Sequence, residues 1–277
     1  MIRCVSGVVF WLLLVAGLLT GPGASLAEAQ FPQTCSWNGC PIDMSASTYA
    51  VNNLWNKRKA RGSQSITVNS PTAWSTSWDW TRREDWTVTS FASTVTGWHW
   101  GWHFTPQATK LPVPVIASTP VNATFAYNYL PDSTCWVSRP CRYDVAFDLW
   151  FHDTATPVAT SNPVFELMIW TSYWRADMFI GYPLLLTDVV IGKDSTGVPL
   201  HWNVVQTAST NAVLLPTATQ ADVTSATLNV TDFINAIVSA GLGISSSWYL
   251  SSVEFGIEVY KGRGTLNVTN YGVSVGQ

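Results

Sequence analysis

The chain has 277 residues, with 47% hydrophobic and 11% charged side chains and a formal net charge of −3. So little charge on so apolar a chain excludes a disordered protein, and the small acidic balance leaves no basic footprint for nucleic acid. The 16 Trp, 9 Tyr and 11 Phe exceed what a core of this size needs, and the surplus suits a surface that stacks flat, weakly polar ligands such as sugars.

Residues 1–29 read as a secretory signal. Arg3 supplies the positive start, Val8 to Leu19 a short apolar run, and Ala27-Glu28-Ala29 a small-x-small cleavage pattern. The run is too short to span a bilayer, so a secreted, extracellular chain is expected, one domain over residues 30–277 with no membrane contact. Cys4 leaves with the signal. Cys35, Cys40, Cys135 and Cys141 remain, an even set that reads as two disulfides. Four cysteines allow three connectivities, of which local pairing of Cys35 with Cys40 and Cys135 with Cys141 is the simplest, because each pair brackets a short loop. No Cys-x-x-Cys and no His-Glu-x-x-His occurs, so neither a metal nor another cofactor is expected.

The rest of the chain is β in texture. Runs rich in Val, Ile, Thr, Tyr and Trp at Ser65–Val68, Tyr143–Phe151, Phe165–Thr171, Leu200–Thr207, Ser252–Tyr260 and Thr265–Val275 alternate with Gly, Pro, Ser and Asn clusters, as in a sandwich or barrel. One helix is predicted from the stripe Phe233, Ile234, Ile237 and Val238, with Asp232 as N-cap and Gly241 or Gly243 as stop.

The five glutamates carry the functional signal. Glu28 is in the signal and Glu84 in a charged turn; the other three lie inside apolar strands. Period two puts Glu166, Met168 and Trp170 on one face, with Phe165, Leu167 and Ile169 turned to the core. Glu254, Gly256, Glu258 and Tyr260 share a face in the same way, and so do Asp144, Ala146, Asp148 and Trp150. Mid-strand carboxylates are costly when buried, so three such strands side by side suggest a cleft, and two carboxylates flanking a sugar bond are what glycoside hydrolysis requires. An ordinary solvent-facing sheet surface is the plainer alternative.

Phe165-Glu166-Leu167-Met168-Ile169-Trp170 resembles the nucleophile strand of glycoside hydrolase family 12. Phe255-Gly256-Ile257-Glu258-Val259-Tyr260 resembles that family's acid/base strand. Asn52-Asn53-Leu54-Trp55, Trp74-x-x-x-Trp78-x-Trp80 and Val145-Ala146-Phe147-Asp148-Leu149 match further family segments in order. The resemblance implies an all-β jelly roll: two antiparallel sheets, one curved into a substrate cleft, and one short helix. It implies retaining endo-hydrolysis of β-1,4-glucans, with Glu166 as nucleophile, Glu258 as general acid/base, Asp148 hydrogen-bonding near Glu166, and Met168 beside it. Asn53 and Trp55 would hold glucose units, with Trp37, Pro183, Tyr260 and His99 as further subsite candidates. The implied partner is a β-1,4-glucan polysaccharide, and a monomer is expected.

The family's usual cysteine partner for Cys35 is replaced by Ser65, which leaves Cys40 for Cys35. Trp98 stands where many bacterial members have a cysteine, and Trp98, Trp100 and Trp102 would share a face if the segment is extended. The Cys135–Cys141 insertion is expected to cap one end of the cleft. Glu254 reads as a rim residue, with coupling to Glu258 on the same face as the alternative. A xyloglucan-specific hydrolase is the alternative enzyme, and a non-catalytic carbohydrate-binding jelly roll the alternative class.

Overall fold

The computed structural model describes residues 30–81, 87–98, 100, 109–131, 135, 141–158, 160–176, 182–208, 210–220 and 222–276. The strands in chain order are β1 (Gln33–Cys35), β2 (Cys40–Asp43), β3 (Thr48–Asn53), β4 (Arg61–Ser70), β5 (Ala73–Thr81), β6 (Ser90–Gly97), β7 (Val113–Pro114), β8 (Val121–Pro131), β9 (Arg142–His152), β10 (Phe165–Trp174), β11 (Leu184–Lys193), β12 (Pro199–Ala208), β13 (Asn211–Pro216) and β14 (Ser225–Asn229). Helix α1 (Val230–Ser239) and the long strand β15 (Tyr249–Val275) complete the set.

These strands form the two layers of a jelly roll. The inner sheet runs β2-β3-β6-β15-β9-β10-β13-β12-β11, and the outer sheet runs β1-β4-β5-β15-β8-β14. Pairing is antiparallel except between β10 and β13. The two runs Ser252–Tyr260 and Thr265–Val275, expected as separate strands, are one continuous strand that belongs to both sheets. Its first half pairs with β6 and β9, and its second half with β5 and β8. The changeover falls at Gly262, where φ is +103° and an added Cβ would lie 2.3 Å from Cys141 Sγ; a side chain has neither the backbone freedom nor the room there.

Between the layers, alternate residues of facing strands interlock. Phe255 of β15 packs on Phe147 of β9 with ring centroids 4.7 Å apart, and Phe147 meets Phe125 of β8 edge-on at 5.3 Å. Helix α1 closes the core with Phe233 against Trp202 at 5.5 Å. Its N-cap is Asn229, whose side chain accepts from the Thr231 amide, rather than Asp232, which lies inside the first turn. Either residue type caps well; β14 leads directly into the helix and so brings Asn229 to the cap. The helix ends at Ala240, followed by Gly241 with φ +69°. Both disulfides pair locally, Cys35–Cys40 and Cys135–Cys141.

Candidate active site

Three neighbouring strands of the inner sheet bring the acidic residues together. In the order β10, β9, β15, the register sets the row Glu166, Trp150, Ser252, then Met168, Asp148, Glu254, then Trp170, Ala146, Gly256, and finally Tyr173, Asp144, Glu258. All these rows lie on the sheet face turned away from the core, as the period-two reading requires. Glu166 and Glu258 stand at opposite corners of this patch, with β9 between them. The twist and curvature of the sheet fold that diagonal into one hollow, and both glutamates line the same cavity of about 650 Å³ together with Asp148, Met168 and Trp150.

The backbone spacing behind the acids is set by glycine. At Gly256, between Glu254 and Glu258, an ideal Cβ would sit 2.2 Å from the Ala92 carbonyl oxygen and 2.8 Å from Ser93 Cα. Any side chain would push β6 off β15 and carry Glu258 with it.

Five carboxylates occupy the patch, and they divide by exposure. Glu166 and Glu258 are partly open to the cavity, whereas Asp144, Asp148 and Glu254 are buried. Burial pushes Glu166 up to about 7, with Glu254 as the second cause. Burial also holds Glu258 well above the usual carboxylate range, followed by the charges of Asp144 and Glu166. Asp148 is raised by burial and then by Glu166, Glu258 and Glu254, and Asp144 by burial and then by Asp148. Charges this close in a low-dielectric patch cannot all ionise together, so each added charge makes the next more costly.

The candidates from the sequence divide into those the fold brings together and those it does not. Asp148 lies on the strand next to Glu166, one row along and in the same cavity lining, but its Oδ1 is buried without a hydrogen-bond partner; the expected hydrogen bond to Glu166 is not formed through that oxygen. Met168 lines the cavity. Asn53 and Trp55 line its far wall, and Trp55 is 57% exposed. Their placement has a local cause: Asn52, one residue earlier and so on the opposite face, is buried and accepts from Gln64 Nε2 at 3.0 Å across the two layers, which turns Asn53 outward.

Trp37 is exposed on the loop closed by Cys35–Cys40, outside the cavity lining, although Asn38 and Gly39 of that loop contribute to it. Pro183 is exposed just before β11 and stands apart from the cavity. Tyr260 is not a wall residue. It is 1% exposed and lies behind the acids, its hydroxyl donating to Asp144 Oδ2 at 3.3 Å. His99 and Trp102 lie outside the described residues. Trp100 is not in an extended segment: it takes a turn with φ +54°, lines the cavity and packs on Trp150 at 5.4 Å. The Cys135–Cys141 disulfide adjoins Gly262 at the Asp144 end of β9, and the segment 136–140 lies outside the described residues.

Glu254 corrects the rim assignment. It is fully buried, and Ser252 Oγ donates to its Oε1 at 3.1 Å. Pairing with β6 and β9 on both sides buries the middle of β15, which no single-strand periodicity reveals. The opposite wall was also missed in part: Pro41, Tyr49, Val51 and Phe91 line the cavity. Tyr49 and Val51 share the period-two face of Asn53, and that alternation was the available signal.

A jelly roll whose cleft face offers two accessible glutamates across a groove, backed by buried acids and flanked by exposed tryptophans, has the parts of a glycosidase. The chain matches the model of glycosyl hydrolase family 12 over residues 47–276. Endoglucanase S of Pectobacterium parmentieri is 30% identical over 240 residues, covering 82% of this chain and 81% of that protein. Among solved structures, a family 12 xyloglucanase from Bacillus licheniformis in complex with ligand gives a TM-score of 0.74 at 26% identity, covering 88% of this chain and 99% of that one. Endoglucanase 3 of Trichoderma harzianum, at 24% identity and TM-score 0.66 over 91% of this chain and 99% of that one, shares the fold. The chain belongs to glycosyl hydrolase family 12 and is a glycoside hydrolase.

Proposed function

We propose that this protein is a secreted, monomeric endo-β-1,4-glucanase that cleaves internal bonds of cellulose-type or mixed-linkage β-glucans with retention, after removal of residues 1–29. The observation that carries the reading is that, of the five carboxylates on the cleft face among the described residues, Glu166 and Glu258 are the two that are partly exposed and line the cavity, with Asp148 buried in its lining between them. Glu166 attacks the anomeric carbon and forms a glycosyl-enzyme while Glu258 gives its proton to the departing oxygen; Glu258 then takes a proton from water, which displaces Glu166. The electrostatics suit these roles. The charge of Glu166 is among the causes that lift Glu258, so ionisation of the first keeps the proton on the second. Trp55 and Trp100, both exposed and both lining the cavity, offer flat faces to sugar rings. Endoglucanase S of P. parmentieri supports the glucan assignment.

A xyloglucan-directed enzyme is the second reading, favoured by the B. licheniformis xyloglucanase at TM-score 0.74. Relative rates on carboxymethylcellulose, mixed-linkage β-glucan and xyloglucan decide between them.

Stereochemistry tests the two roles. With an activated aryl β-cellobioside, Glu258→Ala still forms the glycosyl-enzyme, and azide, which needs no base, gives a β-glycosyl azide. In Glu166→Ala, azide takes the vacated place and gives the α-product. Swapped products mean reversed roles, and undiminished hydrolysis in both variants removes the pair from the chemistry. A retaining pair also requires the two carboxyl groups to be about 5–5.5 Å apart in a crystal structure; about 9 Å, with room for a water, would mean inversion.

A further inference from the structure

Asp144 and Glu254 are fully buried on the cleft face and belong to no part of the cavity lining. Neither reaches substrate or solvent, and a buried acid is costly unless its charge or its proton is used. Asp144 stands directly opposite Glu258, and Glu254 stands across β9 from Glu166, one row along, with Asp148 between them.

Asp144 lies directly opposite Glu258 in the β9–β15 register. Tyr260 donates to its Oδ2 at 3.3 Å, and the Glu258 carboxyl lies within side-chain hydrogen-bonding reach of it. Glu258 and Tyr260 face it from β15, Glu166 and Tyr173 from β10, and Asp148 and Arg142 lie on its own strand. Two neighbouring carboxyls this poorly hydrated cannot readily both ionise, so they hold one proton between them. The tyrosine hydroxyl bonds Asp144 Oδ2 and favours the charged form of both carboxyls, and the charge of Asp144 opposite Glu258 is what holds the proton there.

Glu254 lies opposite Asp148, one row from Glu166. Asp148 faces it from β9, Glu166 from β10, and Tyr271 lies within electrostatic reach along β15; β6 presents Val95. The Ser252 hydroxyl donates to Glu254 Oε1, and a negative charge at this position favours proton uptake by Glu166.

We propose that Asp144 and Glu254 are positioning residues that set the two protonation limits of the catalytic pair separately: Asp144 keeps the proton on Glu258, and Glu254 governs how readily Glu166 accepts one. The inference rests on the roles given under Proposed function. The causes of the shifts follow the same division, since Glu254 comes second after burial for Glu166, and Asp144 second after burial for Glu258.

Hydrolysis needs Glu166 ionised and Glu258 protonated, so the acidic limb of kcat/KM follows the first and the alkaline limb the second. Removing a negative neighbour lowers a carboxyl's pKa. On soluble β-glucan, Glu254→Gln therefore moves the acidic limb to lower pH by about one unit and leaves the alkaline limb in place. Asp144→Asn moves the alkaline limb to lower pH by about one unit and leaves the acidic limb in place. With an activated aryl β-cellobioside, whose departure needs no acid, the Asp144→Asn shift disappears. A merely structural role would lower both rates without moving either limb. Thermal unfolding confirms folding of each variant, and Asp144→Ser and Glu254→Ala replace any that fails. Limbs that stay put, or that move together in both variants, overturn the proposal. The azide products test the roles themselves, so unmoved limbs beside the expected azide products overturn this inference alone.

Discussion

The two halves of β15 are one strand in two environments. From Tyr249 to Tyr260 the strand is paired on both edges within the inner sheet, and only Tyr249 and Glu258 keep partial exposure. From Lys261 to Val275 it alternates: Leu266, Val268 and Tyr271 point to the core, while Arg263, Thr269 and Asn270 are exposed. Polar residues in the second half cost little. Arg263 meets Asp79 at 3.1 Å at the surface, and Thr265 bonds Ser77 at 2.9 Å across to β5; exposed contacts of this sort contribute little to stability. In the first half the same alternation puts Glu254 and Glu258 where water is scarce, and the cost appears as a raised pKa of Glu258 and of Glu166 across the patch. A polar residue in a strand is therefore informative only once both faces and both edges of that strand are known.

Substitutions sharpen that contrast, the largest effects belonging to the first half and its neighbours. Glu258→Ala loses general acid help and is expected to lower turnover on glucan by about 10²- to 10⁴-fold; Glu166→Ala loses at least as much. Steady-state rates check both, and near-wild-type turnover would erase the distinction between the halves.

Next is stability. Glu166 has a folded-state pKa pushed above its unfolded value, to about 7, so its protonated form favours the fold. Its contribution is complete below the unfolded pKa and is lost as pH rises through about 7. Glu166→Gln should accordingly stabilise the protein at pH 8, by up to about 3 kcal/mol, and hardly at all at pH 4. Urea unfolding at the two pH values measures this, and equal effects at both would mean that Glu166 titrates normally.

Trp55→Ala removes an exposed stacking face without touching the acids. A loss of about 0.5–1.5 kcal/mol in substrate binding is expected, seen as a raised KM with kcat little changed; a matching fall in kcat would place Trp55 in the chemistry. The smallest effect belongs to the outer half. Arg263→Ala should alter stability by no more than about 0.5 kcal/mol and leave the pH profile alone, and a shifted profile would show that the outer half reaches the site.

Local chemistry in the sequence determined much of this. Alternation of apolar and acidic residues identified β9, β10 and the first half of β15 and the face on which Glu166, Glu258 and Asp148 lie, because side-chain period in a strand is fixed by the backbone. Short spacing brought the cysteines together as two local pairs, and the apolar stripe found α1. Depth was decided by tertiary structure. Glu254 and Glu258 share a strand, a face and a period, yet one is sealed and the other opens into the cavity, since exposure depends on which strands flank a position and how the sheet curves over it. Tyr260 was legible as a cleft-face residue but not as a buried donor to Asp144, for that contact joins positions 116 residues apart. Pro183 and Trp37 failed to reach the cavity for the same reason: sequence order says which way a strand residue points, and only long-range packing says what it points at.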